Sequence, residues 1–239
     1  MVHHAVVGRL LEAARISGIA TRHKYSHVTT YRDIANAFPS VTHEAMNDTL
    51  RRTTDSFTRQ QLKARHEQLY ARISVGDGRD LIIRPRIGGA QGDKVMPPQF
   101  RRTYEPLLAK WLAKKAEDLS STVLGKDPMT GEEVDVSMTS YADDVKEINM
   151  VGSAQDALEK IARSTVLLDA EITEAGLKQN AGKAEHVAAF LGHGQDSFTK
   201  KLRQDLDIEG MGGARQAGKI PGGVATIQWF PTDRGQETY

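Results

Sequence analysis

Asp143 and Asp144 stand side by side between two short runs that read as strands, where a hairpin turn would fall. In such a hairpin both carboxylates project from the turn, with Tyr141 and Val145 anchoring the flanks. Two adjacent anions repel, so one keeps its proton unless a cation shares the site. A solvated acidic turn accounts for an isolated Asp-Asp. The aromatic two residues ahead and the strand-like flanks strengthen the case for a Mg²⁺ site, which needs a third carboxylate from elsewhere. Asp33, in a run rich in β-branched residues at 28–34, supplies it if that strand lies beside the turn. Two divalent ions about 3.5–4 Å apart, clamped by carboxylates, stabilise the attacking and leaving oxygens of nucleotidyl transfer. Mg²⁺ takes few protein carboxylates and completes its shell with substrate phosphates. On residue chemistry alone, three aspartates serve a nuclease as well as a polymerase.

The elements that must position these carboxylates can be read from apolar spacing. A short helix is expected over 4–18 and a strand over 28–34. Further helices are expected after Thr42 as cap and over 57–73. Gly76-Asp77-Gly78 is a turn, 81–87 a strand with Pro85 at an edge, and 88–93 a glycine-rich loop. A helix over 99–115 carries Phe100, Tyr104, Leu107, Leu108, Trp111 and Leu112 on one side, with Pro106 expected to kink or split it. Residues 123–134 read as loop, Ser153 caps a helix to about 175 that Gly176 ends, and strands follow at 186–191 and 224–230. Short hairpins among helices argue for an α+β fold, a largely antiparallel sheet with helices packed on one face.

The 239 residues are long enough for a proper core, and no cysteine is present, which excludes disulfides, thiolate metal sites and cysteine catalysis. The absence of a membrane-length apolar run or a signal-peptide pattern leads to the expectation of an intracellular protein, nuclear or cytoplasmic, neither secreted nor in a membrane. Charge is segregated: residues 51–115 hold 15 Lys/Arg against 6 Asp/Glu, and 116–175 hold 4 against 14. A basic middle suits a phosphate backbone and an acidic block suits cations, although solvated helix faces account for either block alone.

Four local sequences carry a family resemblance. Tyr141-Ala142-Asp143-Asp144 resembles the (Phe/Tyr)-x-Asp-Asp motif of reverse transcriptases. Tyr31-Arg32-Asp33-Ile34-Ala35-Asn36-Ala37-Phe38 resembles their first palm motif, and the stretch from Ile87 through Gln91-Gly92-Asp93 to Phe100 their glycine–Gln-Gly-Asp loop. Gly176-Leu177-Lys178-Gln179-Asn180-Ala181-Gly182-Lys183-Ala184-Glu185 resembles their downstream Gly-Leu-x-x-Asn-x-x-Lys-(Thr)-Glu element. All four stand in family order, across residues 28–192, and the group most similar is that of non-LTR retrotransposons.

The resemblance implies a polymerase palm that extends a DNA primer with dNTPs on an RNA template, using Mg²⁺ or Mn²⁺. Asp33, Asp143 and Asp144 become the metal-binding carboxylates, with the backbone carbonyl of Ile34 as a further ligand. Phe38 excludes a 2′-hydroxyl by bulk, Gln91 and Gly92 approach nucleotide and template, and Tyr141 and Ala142 belong to the same nucleotide-binding group. Lys183 sits near the triphosphate and can protonate departing pyrophosphate. Pro39, Pro97 and Ala184 depart from the family pattern, where an acidic residue, Ser and Thr are usual.

The 32 residues before Asp33 are fewer than a fingers subdomain needs, which leads to the expectation of a palm at 28–192 with an N-terminal stub at 1–27. A C-terminal extension at 193–239 would be a remnant of primer grip or thumb, in a fragment or decayed copy with little processive synthesis of its own. Two other readings stand beside this one: an RNA-copying RNA polymerase palm, which Phe38 argues against, and an inactive nucleic-acid-binding remnant using the basic block. Gly213-Ala214-Arg215-Gln216-Ala217-Gly218-Lys219 lacks the Ser/Thr of a phosphate-binding loop, and His23 and His27 have no acidic partner for a metal. The sequence leaves the oligomeric state open.

Overall fold

A computed structural model describes residues 14–16, 18–20, 22–23, 25–89, 93–127, 130–190, 218–220 and 224–228. The chain divides into two units: residues 1–33, 112–167 and 179–239 form the first, and residues 34–111 and 168–178 the second.

The first unit is built on a six-stranded antiparallel sheet. Its strands are β1 (His27–Arg32), β6 (Met138–Tyr141), β7 (Asp144–Met150), β8 (Glu185–Ala189), β9 (Gly218–Ile220) and β10 (Val224–Gln228), in the order β6-β7-β1-β8-β10-β9. A hairpin of β4 (Leu124–Lys126) and β5 (Glu133–Asp135) joins it. Helix α5 (Ala154–Ile172) lays Ala157, Leu158 and Ile161 against Val28, Val151, Ala188 and Phe190 of the sheet unit. Ser153 Oγ accepts from the Asp156 amide at 3.0 Å, the cap its side chain implied. On the other side Val134, Val136 and Met150 pack with Ile16 and Val123.

Register decides which side chains share a face. Thr30 pairs with Glu147, Arg32 with Val145 and Val28 with Asn149, so these project to the α5 side. Tyr31 pairs with Lys146 and Thr29 with Ile148 on the opposite side. Asp33, one residue past β1, continues the Thr29–Tyr31 face, and Asp144 continues the Ile148–Lys146 face.

In the second unit, α1 (Ala37–Ser40), α2 (His43–Thr53) and α3 (Ser56–Glu67) are followed by the hairpin β2 (Ala71–Ser74) and β3 (Asp80–Ile83), and then by α4 (Met96–Leu119). Thr42 caps α2 by accepting from the Ala45 amide, and Asp55 caps α3 through Thr58. The buried stripe of α4 is Phe100, Tyr104, Leu108 and Trp111, with the division between units falling after Trp111. Gly88, at φ +68°, lies so close to the backbone of Pro39 that a Cβ would fall 2.3 Å from its carbonyl oxygen.

Several expectations are corrected. The helix expected over 57–73 ends at Glu67, because the stretch with β-branched Ile73, paired with Leu81, forms a hairpin that turns through Gly76, Asp77 and Gly78, all with positive φ. The strand expected over 81–87 stops at Ile83, with Ile87 making only an isolated bridge to Thr42. Pro106 leaves α4 unbroken: it and Arg102, whose carbonyl loses its partner, lie on the exposed side, where water can bond to that oxygen. Residues 123–134, read as loop, contain the β4–β5 hairpin, closed by Asp127 accepting from the Gly131 amide. The strand expected over 28–34 ends at Arg32. The helix expected over 4–18 and the strand end at 191 fall partly outside the described residues, as does most of the 213–220 stretch.

Candidate active site

A two-residue loop, Ala142 and Asp143, connects the paired residues Tyr141 and Asp144. Ala142 takes the left-handed backbone conformation (φ 54°) that such tight loops require, at a cost of about 1 kcal/mol for a residue with a Cβ. Asp143 is therefore in the turn while Asp144 is the first residue of β7, so the two do not both project from the turn as expected. Val145 is buried and anchors its flank, but Tyr141 is exposed.

Asp144 is pushed above the ordinary carboxylate range, first by burial and then by the negative charges of Asp143 and Asp33, with Lys183 opposing. Asp33 and Asp144, 111 positions apart in sequence, thus share one electrostatic neighbourhood. Asp33 Oδ2 accepts from Asn180 Nδ2 at 2.9 Å and lies 3.2 Å from Lys183 Nζ, while the Asp33 carbonyl accepts from the Asn180 amide at 2.8 Å. The 3₁₀ turn Ala181–Lys183 carries the lysine there.

A second set of charges lies one residue away, on the helix-covered face. Arg32 donates to Glu147 Oε2 from Nε and Nη2, at 3.3 and 3.0 Å, and to Thr165 and Gln179 from Nη1, at 2.8 and 2.9 Å. Lys115 Nζ lies 3.1 Å from Glu147 Oε1, which also accepts from Ser164 and Asn149. Burial alone would raise the Glu147 pKa; Arg32 and Lys115, with these hydrogen bonds, bring it down to about 2. Nearby His186, hydrogen-bonded to Thr30, is lowered to about 4 by burial and then by Arg32. The sequence reading missed this set. Its signal is parity: in a strand with buried Val145 and Asn149, Glu147 must point inward, and a buried carboxylate needs cations.

Asp33, Asp143, Asp144 and Lys183 therefore lie together in the first unit. Ile34 and Phe38 belong to the second, where Ile34 is buried and Phe38 packs half-buried on Phe100 with ring centroids 5.0 Å apart. Gln91 and Gly92 lie outside the described residues. Among the described residues no three carboxylates or imidazoles converge closely enough, as they stand, to hold an ion. By donor chemistry the aspartate set nevertheless fits a divalent cation, since it offers hard carboxylate oxygens, and the charges of Asp33 and Asp143 act on Asp144 with only the Lys183 ammonium opposing them.

No family model matches the sequence, and no curated protein matches it. Solved structures of telomerase, a reverse transcriptase, from Candida tropicalis are similar in fold. The apo enzyme truncated of its C-terminal domain aligns at TM-score 0.53 and 14% identity, over 76% of this chain and 35% of that one. Telomerase in complex with the TWJ fragment of telomeric RNA aligns at TM-score 0.54 and 12% identity, over 74% and 29%. A further structure of apo telomerase aligns at 0.52 and 13%, over 76% and 31%. The chain spans about a third of the length of these proteins. At this identity the likeness concerns the fold alone: this chain has a mixed helix and antiparallel-sheet fold of the reverse-transcriptase type.

Proposed function

We propose that the chain is the palm of an RNA-directed DNA polymerase, with residues 28–192 as the palm proper, in a protein of non-LTR retrotransposon type. The observation that carries this reading is that Asp33, Asp143 and Asp144 come together at the ends of adjacent antiparallel strands, where the charges of Asp143 and Asp33 help to raise the pKa of Asp144. It gains support from a reverse-transcriptase-like fold and from the four family-like motifs in order.

Asp33, Asp143 and Asp144 would hold Mg²⁺ or Mn²⁺, which supplies positive charge to the reacting phosphate and the attacking oxygen. In the reaction the primer 3′-hydroxyl gives up its proton to solvent water as its oxygen bonds to the α-phosphorus of a dNTP, and the bond from that phosphorus to the bridging oxygen of the β-phosphate breaks, with the electron pair leaving on pyrophosphate. Lys183, whose side chain is two-thirds exposed, gives a proton to that leaving oxygen. A cation held there would offset the charges of Asp143 and Asp33 that raise the pKa of Asp144. Phe38 is the residue we assign to exclusion of the 2′-hydroxyl.

The test is single-nucleotide incorporation on an RNA template with a DNA primer, in Mg²⁺ and in Mn²⁺, beside Asp143→Asn. Incorporation of dNTP but not rNTP, lost in the variant, is the expected result. Salt-sensitive binding of the same primer–template without incorporation would instead make the chain a nucleic-acid-binding remnant. Equal use of rNTP would remove the role of Phe38.

A further inference from the structure

We propose that Asn180 is a positioning residue that fixes which oxygen of Asp33 is offered to a cation. The inference rests on the metal-binding reading of Asp33, Asp143 and Asp144. Asn180 holds Asp33 at two points: its amide bonds the Asp33 carbonyl at 2.8 Å, and its side chain bonds Oδ2 at 2.9 Å. A residue held at both backbone and side chain has little freedom to turn about χ1 or χ2.

The neighbouring residue anchors this clasp. Gln179 Oε1 accepts from Arg32 at 2.9 Å and its Nε2 donates to the Thr165 carbonyl at 3.0 Å, tying the segment to β1 and α5. Arg32 is itself held by Glu147, fully buried and ionised. Asn180 can therefore not follow Asp33 if that carboxylate rotates. The clasp is fixed from behind, and Asp33 is what it orients.

The direction of the clasp matters as much as its rigidity. Asn180 and Lys183 both contact Oδ2, and among the described residues nothing bonds Oδ1. Oδ1 is thus the oxygen left to the shared acidic neighbourhood with Asp144. A neutral amide fits this role because it orients the carboxylate without cancelling the charge a cation needs. A lysine at position 180 would hold Asp33 as firmly and neutralise it.

Mn²⁺ binding to the full chain reads this directly, through the loss of the free-ion paramagnetic resonance signal on titration, without nucleotide or primer. Asn180→Leu, of similar shape but without the donor, and Asn180→Ala should each weaken Mn²⁺ binding about 10–100-fold, the range for removal of a ligand-orienting partner. Metal-free melting temperature should stay within a few degrees of wild type. In an Asp33→Asn background, Asn180→Leu should produce no further loss, because an orienting role vanishes with the group oriented.

Each other result overturns the proposal. Mn²⁺ binding that falls with Asp33→Asn but is untouched by Asn180→Leu removes Asn180 alone. An additive loss in the double variant, or collapse of the fold in both Asn180 variants, makes Asn180 structural. No Mn²⁺ binding by wild type, and none changed by Asp33→Asn, removes the metal reading itself and this inference with it.

Discussion

The two faces of β1 and β7 handle charge in opposite ways, although the residues concerned are one position apart. On the covered face Arg32, Lys115 and Glu147 are almost inaccessible, yet each charge has an opposite charge beside it, and Arg32 and Glu147 are hydrogen-bonded as well. On the other face Asp33, Asp143 and Asp144 are partly solvated and share one nearby ammonium, that of Lys183. Matched charges deep in a domain hold elements in place. An excess of like charge at a surface is uncomfortable for the fold, and persists where water or a ligand relieves it. The same strand pair therefore separates scaffold from candidate site by alternation alone.

The comparison breaks most visibly at Glu147. Glu147→Gln keeps the shape but leaves Arg32 and Lys115 buried without their anion, and should cost about 3–5 kcal/mol in chemical denaturation. A loss under about 1 kcal/mol would mean that solvent reaches the cluster and that the covered face is not a dry scaffold. The same residue bears on acid stability. Its folded pKa of about 2 lies below its ordinary 4.5, so its contribution is present above pH 4.5 and is lost as pH falls towards 2.

His186 sharpens the picture at milder pH. It is neutral in the fold, with its pKa lowered from 6.5 to about 4, so the unfolded chain binds the extra proton first. Stability should be full above pH 6.5 and fall as pH drops towards 4, by up to about 3 kcal/mol. His66 of the second unit, also lowered to about 4 chiefly by burial, acts in the same window. His186→Gln should therefore flatten only part of the decline between pH 6.5 and 4, and His186→Gln with His66→Gln most of it. An unchanged pH profile in the double variant would assign the acid lability elsewhere.

Much of this was legible in the residues, for identifiable reasons. Asp143 and Asp144 announce themselves because adjacency and strand-like flanks are local properties, as are the caps at Thr42 and Ser153. The β2–β3 and β4–β5 hairpins were not read, because Ile73 continues a helical spacing and Gly125 and Pro128 suggest loop. The clasp of Asn180 on Asp33 joins residues 147 positions apart, and no local pattern encodes it. Glu147 was hidden differently: beside Lys146 in an acidic block, it reads as one more surface charge until register shows that it points inward.

On the outer face, Mn²⁺ should act as the missing counter-charge. At a free concentration about ten times its Kd it should stabilise the wild-type chain by about 1.4 kcal/mol, seen as a raised melting temperature, and Asp144→Asn should lose most of that gain. An equal gain in both would place any bound ion away from this aspartate group.

The smallest expected effect discriminates most finely between the two faces. Without metal, Asp144→Asn removes one of three mutually repelling carboxylates, whose burial and neighbours already disfavour its charged form. Stability should rise by no more than about 0.5 kcal/mol at pH 7, since Asp144 is exposed and water screens the repulsion. The gain should shrink as pH falls, because Asp144 then takes up a proton in wild type and the variant no longer differs in charge. Denaturation of both proteins at pH 7 and pH 4.5 measures this. A loss of stability comparable to that of Glu147→Gln would place Asp144 in the scaffold, and the division of labour between the two faces would fail.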